Sequence, residues 1–408
     1  MIKLLLLCIP LFIYGDTLES LISFATKNSD LVVSKELSKK AKNSEVLSRE
    51  SNYYPTLDVG SYYQSLNEKT PMMAGDVYSA YAKVGFDIYD GGKKSALLQQ
   101  TKSEHKASTF DSESTKKDLS LSVVKDFYNI KSLEAKLKAR EEARNSLKEQ
   151  LTRMQRFVIA RVATQDDVDR LQSAYDTNIY ESESIKLQIL SLKKLLELKV
   201  GKTIESLDNS KFKEFNEQEK ELTDSVKSLM AQKDALLSGA NSMDSAYYPN
   251  LKIEDTYSLY GYNRSDTLHK EGLDEQNKLM LSLNMRLFDN GTISKSKQSI
   301  IIQSQALDTM VSYSKKEQQI KFDIATATIK TSYIKIKSAK SAVKSAKSAF
   351  EIITKKYDAG IADNITYLDA LSAYTQAKAL YETSLNDLEI AYGAYYYYAG
   401  KNIEEFLQ

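Results

Sequence analysis

Two short turns, near residues 161–167 and 358–364, concentrate the charged side chains whose spacing suggests chemistry. At the first, Arg161 precedes Asp166, Asp167 and Asp169. Such groups can form ion pairs that hold neighbouring helices together, although exposed pairs of this kind contribute little on their own. At the second turn Asp363, Thr366 and Asp369 lie around a helix start, a position that acids favour. Other chemistries lack their residues. His105 and His269 are far apart and have no ligand-type neighbours, which argues against metal binding and His-based catalysis. There is no glycine-rich phosphate loop and no nucleophile constellation. The expectation is therefore no catalytic residues, no cofactor, no metal and no enzyme. With 56 basic and 55 acidic residues the net charge is +1, so nothing marks a nucleic-acid binder.

The elements that position these turns begin after an export signal. Lys3 and the apolar run at 4–13 match a secretory leader, with Tyr14-Gly15 before the expected cleavage point. The run is too short to span a bilayer as a helix. Cys8, the only cysteine, lies inside it, so the mature chain is expected to hold no disulfide. The four prolines leave long stretches free to be helical. The 27 tyrosines suit boundaries between water and something apolar.

The chain repeats itself at an offset of about 200 residues. Tyr53-Tyr54-Pro55 returns as Tyr247-Tyr248-Pro249, Asp90-Gly91-Gly92 as Asp289-Asn290-Gly291, and Phe157 to Leu171 as Tyr357 to Leu371. The order is kept. This divides the chain into a signal at 1–15, a first repeat at 16–202, a linker at 203–221, a second repeat at 222–401 and a tail at 402–408. Each repeat opens with a helix, at 17–52 in the first copy, that Pro55 or Pro249 ends by forcing the preceding residue to be extended. Strands follow at about 57–66 and 78–89, and again at about 251–262 and 278–288, with period-two alternation. In the second strand Tyr78, Ala80, Ala82, Val84, Phe86 and Ile88 take one face, and Ser79, Tyr81, Lys83, Gly85, Asp87 and Tyr89 the other. Asp255 interrupts the apolar face of the third strand. A soluble sheet would show the same alternation. Against it stand the strand lengths, which match a tilted bilayer crossing, and the absence of further strands. Tyr78 and Tyr89, at the two ends of one strand, are candidates for interfacial anchoring.

Gly91 and Gly92, or Gly291, then turn the chain into long helices at 93–155 and 293–356. Their apolar stripes run through Leu119, Val123, Phe127 and Ile130, and through Ile320, Ile324, Ala327 and Ile334. Return helices at 168–200 and 365–399 follow the tips, and the polar linker joins the halves. The fold class expected is mainly α with a transmembrane β-barrel: a duplicated unit of β-hairpin plus long coiled-coil helices. Four strands cannot close a barrel, since the smallest in outer membranes have about eight, and open edges are costly in lipid. Several chains must share one barrel.

The Tyr-Tyr-Pro segments, the strand pairs, Asp-Gly-Gly and the tip from Tyr357-Asp358-Ala359-Gly360 to Leu368-Asp369-Ala370 resemble the TolC-type outer-membrane efflux proteins, over essentially the whole mature chain. The resemblance implies a homotrimer whose 12-stranded barrel continues into a helical tunnel across the periplasm. It implies a periplasmic adaptor, an inner-membrane transporter and outer-membrane lipid as partners. The function it implies is a passive exit duct for drugs, detergents, metal ions or secreted proteins. Asp369 matches an aspartate that constricts the periplasmic end, and Thr366 stands where some members carry a second, with Asp363 nearby as a further acid. A ring of carboxylates there would attract cations and repel anions. The alternatives are the duct of a type I protein secretion system and a periplasmic structural coiled coil.

Overall fold

The computed structural model describes residues 16–67, 75–213, 215–262 and 273–408. The signal at 1–15, with Cys8, and His269 lie outside the described residues. Two compact units emerge. One draws on the chain up to Glu36, on Asp111–Asp224 and on Ser314–Gln408; the other on Leu37–Phe110 and Ser225–Tyr313. Each unit takes corresponding segments from both repeats, so the sequence halves are not separate bodies.

The opening helix, expected as one piece, is two: α1 (Leu18–Asn28) and α2 (Asp30–Ser51). Thr17 caps α1, its hydroxyl accepting from the Ser20 amide at 3.2 Å. Ser29 leaves the helical region with ψ 132°, and the Asn28 side chain donates to the Phe24 carbonyl. Serine and asparagine offer the backbone such local alternatives to the helix. The break frees Leu18, Leu21, Ile22 and Ala25 to face the core, while α2 shows Leu31, Leu37 and Leu47 to solvent.

The sheet consists of β1 (Thr56–Ser65), β2 (Asp76–Tyr89), β3 (Asn250–Tyr262) and β4 (Glu275–Asn284). The strands are antiparallel in the order β1-β2-β3-β4, so the two repeats join at the β2–β3 ladder. The fourth strand stops at Asn284, short of the expected 288. Its partner β3 begins at Asn250, which pairs with Asn284, and the preceding Pro249 has no N–H to extend the ladder. A bulge between Asp87 and Tyr89 brings Tyr89 opposite Leu251. That extra residue moves Tyr89 from the polar face, where strict alternation placed it, onto the apolar one.

Two helices of 67 residues follow the hairpins, α3 (Lys93–Ile159) and α6 (Thr292–Asp358). At 1.5 Å per residue each is about 100 Å long. The return helices are α4 (Gln165–Val200) and α7 (Asn364–Tyr398), and the second repeat opens with α5 (Asp224–Asp244). No helix among the described residues is long and apolar enough to cross a membrane.

The first unit has two cores. In the larger, Val123, Phe127 and Ile130 of α3 meet Leu18 and Ile22 of α1, Leu196 of α4 and Tyr395 and Tyr396 of α7. The α3 stripe is therefore buried as its spacing predicts. The α6 stripe is not. Ile320, Ile324 and Ile334 are exposed, and α6 turns Ala325, Ile329 and Ala339 inward instead. The small Ala325 and Ala339 let α6 lie close to its own chain, and Ile320, Ile324 and Ile334 are left facing away from it. The linker also departs from expectation. Although polar and charged, it buries Ile204, Leu207 and Phe212. Phe212 bridges to Leu407 of the tail, and Phe406 stacks on Tyr396 at 3.8 Å between centroids. Linker and tail are thus a clasp around the end of α7 rather than connectors. The smaller core packs Leu147, Leu151 and Met154 of α3 with Leu171 of α4 and Tyr367 and Leu371 of α7 beneath the tips.

Candidate functional site

The tip turns are built by the same grammar twice. After α3, the Val162 amide returns to the Phe157 carbonyl at 2.9 Å, and Arg161 takes φ 63°. After α6, the Ile361 amide returns to the Lys356 carbonyl at 2.8 Å, and Gly360 takes φ 73°. These left-handed closures satisfy the last carbonyls of each helix. Glycine adopts them freely, whereas Arg161 carries a Cβ penalty.

The acids divide their work among local partners. Thr164 caps α4 in a reciprocal box with Asp167. Asp166 pairs with Arg170 at 2.8 Å, one turn along the same helix. Asp169 accepts from the Gln165 amide group at 2.8 Å. Arg161 pairs with none of the three, so the expected Arg161 cluster is not assembled within the chain. Asp363 caps α7, accepting from the Thr366 amide at 2.8 Å. The Thr366 side chain and then its amide hold the Asp363 carboxyl below the usual carboxylate range. Asp363 and Thr366 are therefore occupied with each other at the helix start.

Asp369 stands apart. It is exposed on α7, at the rim of a cavity of about 350 Å³ between α3, α4 and α7. The Arg140–Glu181 ion pair, at 2.6 Å, and the buried Asn178 also line this cavity. Two residues with no sequence signal tie the tips together. The Asn364 side chain donates to the Asp167 carbonyl at 2.9 Å, and Arg153 grips both the carboxylate and, at 2.8 Å, the carbonyl of Asp358. Asn364 is hidden in sequence because Asp363 beside it already completes a cap. Arg153 lies inside a long charged helix with nothing to distinguish it.

In the other unit, the sheet presents two opposite surfaces. Register puts Leu57, Val59, Val84, Ile253, Leu259, Leu279 and Leu283 on one face. That face is open: Leu57 is 70 % exposed, Val59 77 % and Leu279 70 %. The opposite face holds Lys83, Lys252 and Glu254, with the glutamate 3.0 and 2.9 Å from the two lysines. Its small residues Ser79 and Ser258 are buried. A soluble sheet buries its apolar face; this one shows it. The edges β1 and β4 carry no strand partner among the described residues. Tyr78 and Tyr89 sit on the apolar face at opposite ends of β2, 54 % and 48 % exposed. Pro55 and Pro249 stand at the helix-to-strand turns. Gly91, Gly92 and Gly291, all with positive φ, stand at the strand-to-helix turns. There Asp90 accepts from the Gly92 and Lys94 amides, and Asp289 from the Gly291 and Ile293 amides. Among the described residues no group of three His, Cys, Asp or Glu could hold a metal ion.

Comparison with known proteins agrees with this geometry. No curated protein sequence matches the chain significantly. Solved structures of the same fold include the outer membrane channel CmeC of Campylobacter jejuni, with TM-score 0.82 and 14 % identity over 94 % of this chain and 85 % of that one. The outer membrane protein VceC of Vibrio cholerae gives 0.79 and 14 % over 95 % and 96 %. The open state of the MtrE outer membrane channel of Neisseria gonorrhoeae gives 0.76 and 13 % over 95 % and 89 %. At these identities the likeness is one of fold. A family model described as outer membrane efflux protein matches residues 21–187 and 217–400, with the gap covering the end of the first repeat and most of the linker. The chain belongs to the outer membrane efflux protein family, and it is an exit duct of the outer membrane.

Proposed function

We propose that three copies close one barrel and that the assembly works as the passive last stage of a tripartite efflux system, joined to a periplasmic adaptor and an inner-membrane transporter. The observation that carries this is the sheet: four strands, two open edges and an apolar face left exposed. Unpaired strand edges are not tolerated in lipid. All neighbours are antiparallel, so β4 of one copy meets β1 of the next in the same sense, and three copies give an even, closed set of twelve. The exposed stripe of Ile320, Ile324 and Ile334 on α6 supplies an apolar surface for a neighbouring copy to cover. An energy source lies outside such a duct, so direction and most selectivity rest with the transporter.

Asp369 is the residue we assign to the cation-sensitive constriction, because Asp363 and Thr366 are engaged in capping α7 and Asp369 is exposed. Three such carboxylates on one axis would favour cations. The experiment is to extract the protein from outer membranes, run it with and without heating, and record single channels. A heat-sensitive trimer with steady conductance supports the duct. A soluble monomeric rod would sink it. Asp369→Ala should weaken block by divalent cations; unchanged block across their concentrations removes Asp369 from the constriction. Deletion of the gene should raise susceptibility to toxic amphiphiles, whereas loss of a secreted protein alone would identify a protein-secretion duct.

A further inference from the structure

The polar face of the sheet holds tyrosines that interfacial anchoring does not explain, because they point away from the apolar face. Tyr62, Tyr81, Tyr260 and Tyr262 all lie there by register. Their arrangement is a checkerboard. One cross-strand row reads Tyr62, Ser79, Tyr260; the next reads Gly60, Tyr81, Ser258. Tyr62, Tyr81 and Tyr260 thus each have a small residue beside them on the neighbouring strand, whereas Tyr262 sits beside Val77.

The rings use that space. A Cβ added to Gly60 would fall 2.6 Å from the Tyr81 ring, so the phenol lies on the glycine backbone. Ser79, flanked by Tyr62 and Tyr260, is only 5 % exposed, and its hydroxyl has no hydrogen-bond partner. Ser258, beside Tyr81, is buried as well. Tyr260 and Tyr262 are near parallel, at 6.5 Å between centroids and 19°. A buried hydroxyl without a partner is costly, so these rings cover the serine at some expense to the sheet. Lying on Gly60, the Tyr81 ring offers a π face rather than an edge to the space beyond the polar face. Tyr62 remains 47 % exposed.

We propose that this patch is a binding surface for aromatic cations on their way out of the barrel. The proposal rests on the trimeric duct, which turns the polar face toward the lumen and repeats the patch three times. Ring faces attract cations through their quadrupole and stack on other planar rings. The nearby charges balance, since Lys83 and Lys252 face Glu254 and Asp58, the latter opposite Lys83 in register. The surface therefore holds solutes by ring contact, briefly enough to release them outward.

The test uses the whole trimer in planar bilayers with ethidium added on the strand-loop side. Tetraethylammonium is the control cation without rings. Wild type should show transient ethidium blocks that tetraethylammonium does not reproduce. Tyr81→Leu with Tyr260→Leu should shorten the block by roughly tenfold, each ring contributing about a threefold factor. Tyr81→Phe with Tyr260→Phe should keep it within about twofold. Equal dwell times in the leucine and phenylalanine pairs overturn the proposal, as does equal block by both cations. If the leucine pair does not insert, Tyr262→Leu alone is read the same way. A wild type without any ionic conductance refutes the duct itself, and normal conductance without ethidium block refutes only the patch.

Discussion

The two repeats turn from strand to long helix through equivalent residues, which provides an internal control for one close approach. Gly91 has φ 68° and its counterpart Asn290 has φ 56°. Both are left-handed, and asparagine tolerates that region. They differ in surroundings. A Cβ at Gly91 would sit 2.7 Å from the Ser245 carbonyl oxygen and 2.7 Å from the Tyr248 Cβ, both on the segment that leads into β3. Contacts that short force the backbone to move. Gly91→Asn should therefore keep an acceptable φ and still lose stability. Overpacking of this kind typically costs about 1–3 kcal/mol, and the left-handed asparagine adds a few tenths to the glycine reference. Gly92→Asn is the companion, since a Cβ there meets only the Ser95 hydroxyl at 3.7 Å; it should lose about 1 kcal/mol or less. The measurement is guanidinium unfolding of the detergent-solubilised protein followed by far-ultraviolet circular dichroism, with both variants beside wild type. If Gly91→Asn and Gly92→Asn unfold at the same midpoint, the turn does not pack against Ser245 and Tyr248, and glycine is there for its φ alone.

Other outcomes follow from the same geometry. Thr164→Ala removes the α4 cap and half of its reciprocal box, and should cost about 1 kcal/mol in unfolding without changing conductance. The Asp363 carboxyl is held below its usual range, so its contribution is full above about pH 5 and is lost as pH falls through its lowered pKa; Asp363→Asn should flatten the acid limb of stability measured below about pH 4. Glu389 behaves oppositely. Burial pushes its carboxyl up despite the Phe212 amide it accepts from at 2.8 Å, so stability should fall as pH rises from the ordinary glutamate range through the raised pKa. Glu389→Gln should remove that slope in pH-dependent thermal unfolding. Ile324→Asp, on the exposed α6 stripe, should abolish the trimer on unheated gels while leaving far-ultraviolet dichroism intact. Asp255, exposed among Val84 and Leu279 on the apolar face, should be costly in lipid, so Asp255→Leu should raise folding stability in vesicles by about 1 kcal/mol.

The repeat and its strands were legible because period and order are local properties of the chain. Alternation needs only neighbouring residues, and a proline or an Asp-Gly-Gly acts within one turn of where it stands. What the sequence hid is everything decided by a partner far along the chain. The end of β4 is set by Pro249 just before β3, about 35 residues away, and the face of Tyr89 by a bulge that only pairing with Leu251 reveals. Which stripe of α6 is buried illustrates the point best. Ile320, Ile324 and Ile334 have the stronger hydrophobic signal, yet the chain packs on Ala325, Ile329 and Ala339 and leaves those three outside. A monomer would gain by burying the larger side chains. In the proposed assembly a second copy would cover them. The mismatch between hydrophobic pattern and burial on α6, like the inverted faces of the sheet, is what the proposed assembly would account for. The acids at the tips lacked any comparable signal. Aspartate at a helix start reads the same whether it caps, pairs or faces an axis, and only the hydrogen bonds separated Asp363 and Asp167, which cap, from Asp369, which remains exposed and open to a role at the constriction.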